Sequence, residues 1–136
     1  MRGLHLTADL HGCAAGRAAM TDPQALRTLC RTAIAAAGLT AVADVFHRFA
    51  PGVDAPAAAP VGITGVVLLA ESHLAVHTWP ELDAATVDVY VCNLGHDNSA
   101  RAGALLGALL DAFAPARTTR RSFERGALEM RLGAHR

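Results

Sequence analysis

A dense group of reactive side chains lies between positions 71 and 81 of this 136-residue sequence. Two acids (Glu71 and Glu81), a serine (Ser72) and two histidines (His73 and His77) occur within these positions. An apolar segment, 62–70, precedes them and predicts a strand. Nucleophilic and titratable groups at this density indicate chemistry, and three kinds fit the residue types: a serine hydrolase, a metal centre, or self-processing at the serine.

The hydrolase and metal interpretations both lack a part. Ser72 has no glycine-flanked elbow, which exposes the nucleophile of many serine hydrolases. His73 and His77 are four positions apart, and Glu81 or Cys92 would have to complete a metal site. Paired histidines without a recognisable third ligand are more often structural, so we expect no metal. Self-processing at the serine stays open on the residues alone.

The segments 71–81 and 88–92 closely resemble those of the prokaryotic S-adenosylmethionine decarboxylases, which are small, self-processing and pyruvoyl-dependent. The resemblance continues in order along nearly the whole chain. Its further segments are 5–6, 10–13, 46–51, 62–67 and 124–126.

This resemblance implies cleavage between Glu71 and Ser72. In the family, a serine hydroxyl attacks the preceding carbonyl, and the serine becomes a covalent pyruvoyl group. A single domain, 1–136, would thus be cleaved into 1–71 and 72–136, with the pyruvoyl at Ser72. His77 matches the processing base, and imidazole suits that role because its pKa lies near neutrality. Thr64 stands where many relatives have serine and would support the processing intermediate.

The resemblance also assigns the residues that meet the substrate. Cys92 matches the donor that returns a proton to the substrate carbon. Phe49 matches an aromatic residue that stacks on adenine, and Glu81 matches an acid near the ribose and the processing site. The implied function is decarboxylation of an amino-acid substrate in polyamine biosynthesis, with S-adenosylmethionine as first choice. Active sites in the family lie in homodimers, so a homodimer is expected.

The sequence departs from the family beside Glu81. Relatives carry an aromatic turn where this chain has Leu82, Asp83 and Ala84, and the loop after Pro51 is longer. Asp83 could pair with the cation of a basic amino acid. Arginine or ornithine decarboxylation is therefore an alternative, and an unprocessed, non-catalytic paralogue is another.

Periodicity and turn residues predict the elements that position these groups. We expect strands at 3–11, 39–49, 62–70, 74–79, 85–92 and 117–132. A helix should begin at Thr21-Asp22-Pro23, and a second should run from about 97–99 to Pro115. The segment 50–60, rich in proline and alanine, should be an exposed loop. This order predicts an α+β fold: a two-layer sandwich with helices packed on one face of a mostly antiparallel sheet.

Composition excludes several function classes. The net charge is zero and all twelve basic residues are scattered arginines, which argues against nucleic acid and membrane surfaces as partners. The absence of lysine excludes a pyridoxal phosphate Schiff base. Three widely spaced cysteines predict reduced thiols. Because no apolar segment is long enough to span a bilayer, we expect a soluble, cytoplasmic protein.

Overall fold

The computed structural model describes residues 2–126 and contains one six-stranded sheet and three α-helices. The strands are β1 (Gly3–His11), β2 (Ala41–Arg48), β3 (Ile63–Leu69), β4 (Ser72–Trp79), β5 (Ala84–Cys92) and β6 (Arg117–Arg125). The helices are α1 (Ala18–Thr21), α2 (Pro23–Ala36) and α3 (Ser99–Phe113). A short 3-10 turn, Pro80–Leu82, joins β4 to β5.

The strand order is β2-β3-β4-β5-β1-β6, and every neighbouring pair is antiparallel. Helix α2 packs on β2 and β3, whereas α3 packs on β1 and β5. The predicted two-layer α+β sandwich is therefore confirmed, and the sheet is antiparallel throughout.

The core lies between the helices and one face of the sheet. Alternating residues such as Leu74 and Val76 of β4 and Val87 and Val89 of β5 are at most 1% exposed. They meet the apolar stripe of α3, which includes Leu105. Period-two alternation in the strands and period-3.6 spacing in the helix thus bury their apolar faces against each other.

The opposite face of the sheet carries no helix in the described residues, and we call it the open face. One row across all six strands consists of Ala43, Leu68, His73, Tyr90, His5 and Phe123. A second row consists of His47, Thr64, His77, Thr86, Asp9 and Thr119. Both rows hold residues that the sequence analysis singled out.

Two elements differ from the sequence prediction. The short helix α1, with the buried residue Met20, lies where glycines suggested only a turn. Strand β4 begins at Ser72 rather than Leu74, because pairing with β5 continues through the polar residue His73. The predicted helix start is confirmed, since Asp22 accepts a hydrogen bond from the Gln24 N–H at 3.0 Å. The predicted extension of the last strand to 132 lies outside the described residues.

Within 2–126, no helix is both long and apolar enough to cross a membrane.

Candidate active site

The predicted cleavage junction lies in the tight turn between β3 and β4. Leu69 pairs with Ser72, so Ala70 and Glu71 alone connect the two strands. Glu71 is exposed and has a φ of 58°. A non-glycine residue adopts this left-handed conformation at a cost of about 1–2 kcal/mol. The residue before the predicted scissile bond is therefore both accessible and strained.

Ser72 contacts the end of β5. The backbone N–H of Cys92 donates to Ser72 Oγ at 3.1 Å. The pairing of β4 with β5, in which His73 lies opposite Tyr90, brings these strand ends together. Cys92 is only 7% exposed. The fold thus joins the predicted nucleophile to the predicted proton donor, which are twenty positions apart in sequence.

Thr64 and His77 form a second cluster on the open face. They lie directly opposite each other in the β3–β4 pairing, and Thr64 Oγ1 is 3.0 Å from His77 Nδ1. The His77 ring stacks on Trp79, with 5.8 Å between ring centroids. A hydroxyl and a stacked ring therefore hold the imidazole.

These two clusters are far apart within one chain. Ser72 and His77 lie on the same strand, β4, five residues apart. At about 3.3 Å per residue, their Cα atoms are separated by about 16 Å. A proton transfer requires heavy atoms within about 3 Å. His77 therefore cannot reach Ser72 of its own chain while β4 is intact.

A cavity between the end of β2 and the start of β3 contains two of the predicted substrate residues. It has a volume of about 410 Å³ and is lined by Phe49, Glu81 and residues of the mostly apolar segment 50–62. An adjoining cavity of about 370 Å³ shares Phe49 and adds Arg48. Gly62 lines the first cavity, and a Cβ added to it would lie 2.0 Å from the Thr78 carbonyl oxygen.

The family model described as S-adenosylmethionine decarboxylase matches residues 4–126. The chain belongs to the S-adenosylmethionine decarboxylase family. The prediction made from residue resemblance is confirmed.

Individual relatives of this decarboxylase family cover most of the chain. The S-adenosylmethionine decarboxylase proenzyme of Aquifex aeolicus is 36% identical over 127 residues, which are 93% of this chain and 83% of the relative. The proenzyme of Persephonella marina is 35% identical over 126 residues, 93% of this chain and 84% of the relative. The crystal structure of the Aquifex aeolicus adenosylmethionine decarboxylase superposes with a TM-score of 0.79 at 34% identity, covering 96% of each chain.

A more distant structure shares only the fold. The Trypanosoma brucei decarboxylase monomer has a TM-score of 0.53 at 13% identity and covers 86% of this chain and 44% of its own.

Asp83, the predicted partner of a basic amino-acid substrate, lies in a turn. It is exposed, has a φ of 49°, and its carbonyl accepts the Cys13 N–H at 2.7 Å. It lines neither of the two cavities beside Phe49. The structure therefore does not place Asp83 in the lining of the cavity that Phe49 and Glu81 share.

The other two cysteines are poor proton donors or nucleophiles at neutral pH. Burial, and then the nearby Asp44 carboxylate, raise the pKa of the Cys30 thiol to about 12. Burial also raises the pKa of Cys13, and Asp83 adds to that increase. All three cysteines are free, as predicted.

A charged and aromatic cluster on the open face was not predicted. Asp88 Oδ1 is 2.5 Å from His5 Nε2 and 3.5 Å from His73 Nε2. Arg125 Nη1 lies 3.2 Å from His5 Nδ1, and its guanidinium sits over the Tyr90 ring at 5.1 Å. We call these residues the Asp88 cluster. Strand alternation had placed Asp88 and Tyr90 on a polar face, but only the strand order brings β1 and β6 beside them.

The Asp88 cluster has the ligand types of a metal site but the wrong proton arrangement. Its two imidazole nitrogens and the carboxylate oxygen lie within 4.8 Å of one another. A guanidinium only donates hydrogen bonds, so Arg125 makes His5 Nδ1 an acceptor and leaves the proton on Nε2, facing Asp88. A metal ligand needs a bare Nε2. The cluster therefore fits a hydrogen-bonded network better than a metal centre.

Proposed function

We propose that this chain is a self-processing S-adenosylmethionine decarboxylase that makes its pyruvoyl group from Ser72. One observation carries the proposal: the Ser72 hydroxyl, held by the Cys92 N–H, directly follows a strained, exposed residue in a two-residue turn. Family membership supports the reaction class.

The processing steps follow from these groups. The Ser72 Oγ attacks the Glu71 carbonyl carbon, the peptide C–N bond breaks, and an ester forms. A base then removes the Cα proton of residue 72, the bond from Cβ to the ester oxygen breaks, and chain 1–71 leaves as a carboxylate. Addition of water and loss of ammonia leave a ketone at residue 72. His77 is the base in this proposal: its Nδ1–H donates to Thr64 Oγ1, so Nε2 carries no proton and can accept one.

The pyruvoyl carbonyl, once formed, supplies a sink for the electrons released with carbon dioxide. Cys92 is the proposed donor of the proton that returns to the substrate carbon. Its position at the end of β5, in backbone contact with Ser72, supports this role. The chain contains no lysine that could hold pyridoxal phosphate instead.

The separation of Ser72 and His77 leads us to propose a homodimer with shared active sites. The His77 of a second copy would lie beside the Ser72 of the first, and the His77 of the first copy would lie beside the Ser72 of the second. The open face supports this arrangement, because a solvent-facing sheet surface is normally polar. Here Val45, Leu68 and Phe123 are 66%, 49% and 47% exposed. Covering these side chains with the same surface of a second copy would remove them from water.

The cavity beside Phe49 favours S-adenosylmethionine over a basic amino acid. Its lining is mostly apolar, with one aromatic ring and the Glu81 carboxylate. A purine can stack on the Phe49 ring, and ribose hydroxyls can donate to Glu81. A short, charged amino acid would leave most of this apolar surface unused.

Two measurements on the purified full chain test the proposal. Intact mass should show two fragments, 1–71 and 72–136, and the second should react with a carbonyl reagent. Ser72→Ala should stay as one chain, whereas Ser122→Ala, a change at an exposed serine of β6, should be cleaved normally. An uncleaved, unlabelled wild-type chain would instead identify a non-catalytic paralogue.

Release of carbon dioxide should then be measured in parallel from S-adenosylmethionine, arginine and ornithine. We expect turnover of S-adenosylmethionine alone. A cleaved protein that turns over only a basic amino acid would overturn the substrate while leaving the cofactor intact.

A further inference from the structure

Cleavage between Glu71 and Ser72 changes how β4 begins. In the uncut chain β4 starts at a covalent turn, and in the cut chain it would start at a free end. Chain ends fray unless side chains tie them down. The only covalent link between the ketone at residue 72 and the sheet would be the amide of His73. Its position would therefore depend on what holds His73, in addition to the strand contacts of residue 72 itself.

Two residues of β5 hold the His73 side chain. The ring stacks on Tyr90, with 5.7 Å between centroids and 30° between ring planes. His73 Nε2 also lies 3.5 Å from Asp88 Oδ1. Tyr90 is the residue directly opposite His73 in the β4–β5 pairing. The side chain next to the new chain end is thus tied to the neighbouring strand by a stack and by a polar contact.

Asp88 and Tyr90 are themselves fixed from the far side. His5 of β1 donates to Asp88, and its ring packs on Phe123 of β6 at 4.9 Å between centroids. Arg125 of β6 donates to His5 and covers the Tyr90 ring. The Asp88 cluster therefore spans β4, β5, β1 and β6 without a gap. Supporting contacts of this kind keep a side chain in one orientation.

We propose that Asp88 and Tyr90 are positioning residues, which hold His73 and thereby the pyruvoyl-bearing end of β4 in place after cleavage. They act through His73 and touch neither substrate nor scissile bond. The inference rests on the proposed cleavage at Glu71–Ser72. It adds that the chain must replace the covalent restraint lost with that bond.

The test compares Asp88→Ala and Tyr90→Leu with a matched control, Asp9→Ala. Asp9 is also a half-exposed acid on the open face, paired with Arg121 at 3.1 Å, but it lies in the row that crosses His77. We expect the Asp88 and Tyr90 variants to be cleaved fully. Their kcat should fall about 10- to 100-fold with KM nearly unchanged, since a shift of about 1 Å at a reacting atom costs this much. Tyr90→Phe keeps the ring and should recover most of the loss seen in Tyr90→Leu.

Hydrogen exchange supplies a readout independent of activity. The amides of residues 73–76 should exchange faster in cleaved Asp88→Ala than in cleaved wild type. The same substitution on the uncleaved Ser72→Ala background should leave these amides as protected as before, because the turn still restrains the strand.

The outcomes separate the two proposals. A wild-type chain that is never cleaved overturns both. If wild type is cleaved but Asp88→Ala and Tyr90→Leu have the same kcat and hydrogen exchange as Asp9→Ala, only the positioning role is overturned. The positioning role is also overturned if Asp88→Ala stays uncleaved, or if its amides exchange faster on the Ser72→Ala background as well. In either case the substitution would already disturb β4 before cleavage.

Discussion

Ser72 and His77 lie on one strand and are about 16 Å apart, so the nucleophile and the base predicted for one reaction cannot meet within one chain. Thr64 contacts His77, and Cys92 contacts Ser72. The residues therefore fall into two half-sites, and a second copy of the chain is the simplest source of the missing half.

Shared active sites predict complementation between two inactive variants. Ser72→Ala and His77→Ala should each stay uncleaved when produced alone. In a mixed dimer, one site combines the intact Ser72 of one chain with the intact His77 of the other. About half of the His77→Ala chains should be cleaved after equal co-production, because about half of the dimers are mixed.

Mass spectrometry can assign the fragments, since only His77→Ala chains should be cut. Two variants that remain uncleaved when co-produced as dimers would contradict the shared site. Co-production of Ser72→Ala with wild type serves as the control, in which wild-type chains continue to be cleaved.

The left-handed backbone of Glu71 predicts opposite effects of glycine at the two turn positions. Glu71 has a positive φ, whereas Ala70 does not. On the Ser72→Ala background, Glu71→Gly should raise the free energy of unfolding by up to about 1 kcal/mol, because glycine removes the left-handed penalty. Ala70→Gly should lower it by about 0.5–1 kcal/mol, because glycine only adds disorder to the unfolded chain.

Urea unfolding of the single-chain forms measures both changes. Equal destabilisation by the two substitutions would show that Glu71 carries no strain in the precursor.

Removal of the Thr64 hydroxyl should slow cleavage. Thr64→Val keeps the side-chain shape but removes the contact with His77 Nδ1, so the imidazole loses its orientation. We expect cleavage to slow by about tenfold or more, as for other general bases that lose a supporting partner. Thr64→Ser keeps the hydroxyl and should be cleaved at close to the normal rate.

Thr86→Val is the matched control, because Thr86 flanks His77 from β5 in the same row. A time course of fragment appearance, followed by denaturing electrophoresis, measures all three rates. Equal rates for Thr64→Val and Thr86→Val would remove Thr64 from the processing machinery.

Two glycines predict opposite responses to alanine. A Cβ at Gly62 would lie 2.0 Å from the Thr78 carbonyl oxygen, and the Thr78 hydroxyl also accepts the Ile63 N–H and donates to the Met20 carbonyl. Gly62→Ala must push this backbone apart and should cost at least about 2 kcal/mol. Gly103, inside α3, has open space around it, so Gly103→Ala should stabilise by up to about 1 kcal/mol.

Thermal unfolding of both variants on the Ser72→Ala background distinguishes them. A Gly62→Ala protein as stable as its parent would mean that the backbone at Gly62 and Thr78 can move apart at no cost in stability.

The Asp44 ion pairs predict a specific acid sensitivity. Hydrogen bonds and positive charge from Arg31, together with Arg27, hold the pKa of Asp44 below its usual value. A carboxyl with a lowered folded pKa stabilises the protein above its unfolded pKa, about 4, and loses that contribution as pH falls through the folded value. Asp44→Asn should therefore be less stable than its parent at pH 7, and the difference should shrink in acid.

Urea unfolding at several pH values on the Ser72→Ala background checks this. Asp54→Asn, in the exposed loop, is the control and should change little at any pH. A stability difference between Asp44→Asn and its parent that stays constant from pH 7 to pH 3 would exclude the proposed linkage.

The sequence alone determined the chemistry-bearing segment, the order of the six strands and the two longer helices, and the fold class. Glu71, Ser72 and His77 are close along the chain, and alternation in β4 and β5 is local, so both can be recognised without knowing what packs where. The helix start at Asp22 and the exposed loop after Phe49 are likewise predicted by the types of neighbouring residues.

Only the tertiary structure decided which of these groups meet. The extended rise of β4 separates Ser72 from His77, although five positions look close in a sequence. Strand order places β1 and β6 beside β5, so His5 contacts Asp88 across 83 positions and Arg125 contacts His5 across 120. No local pattern encodes such pairs, because hydrogen-bond register between distant strands depends on how the whole sheet buries its apolar face.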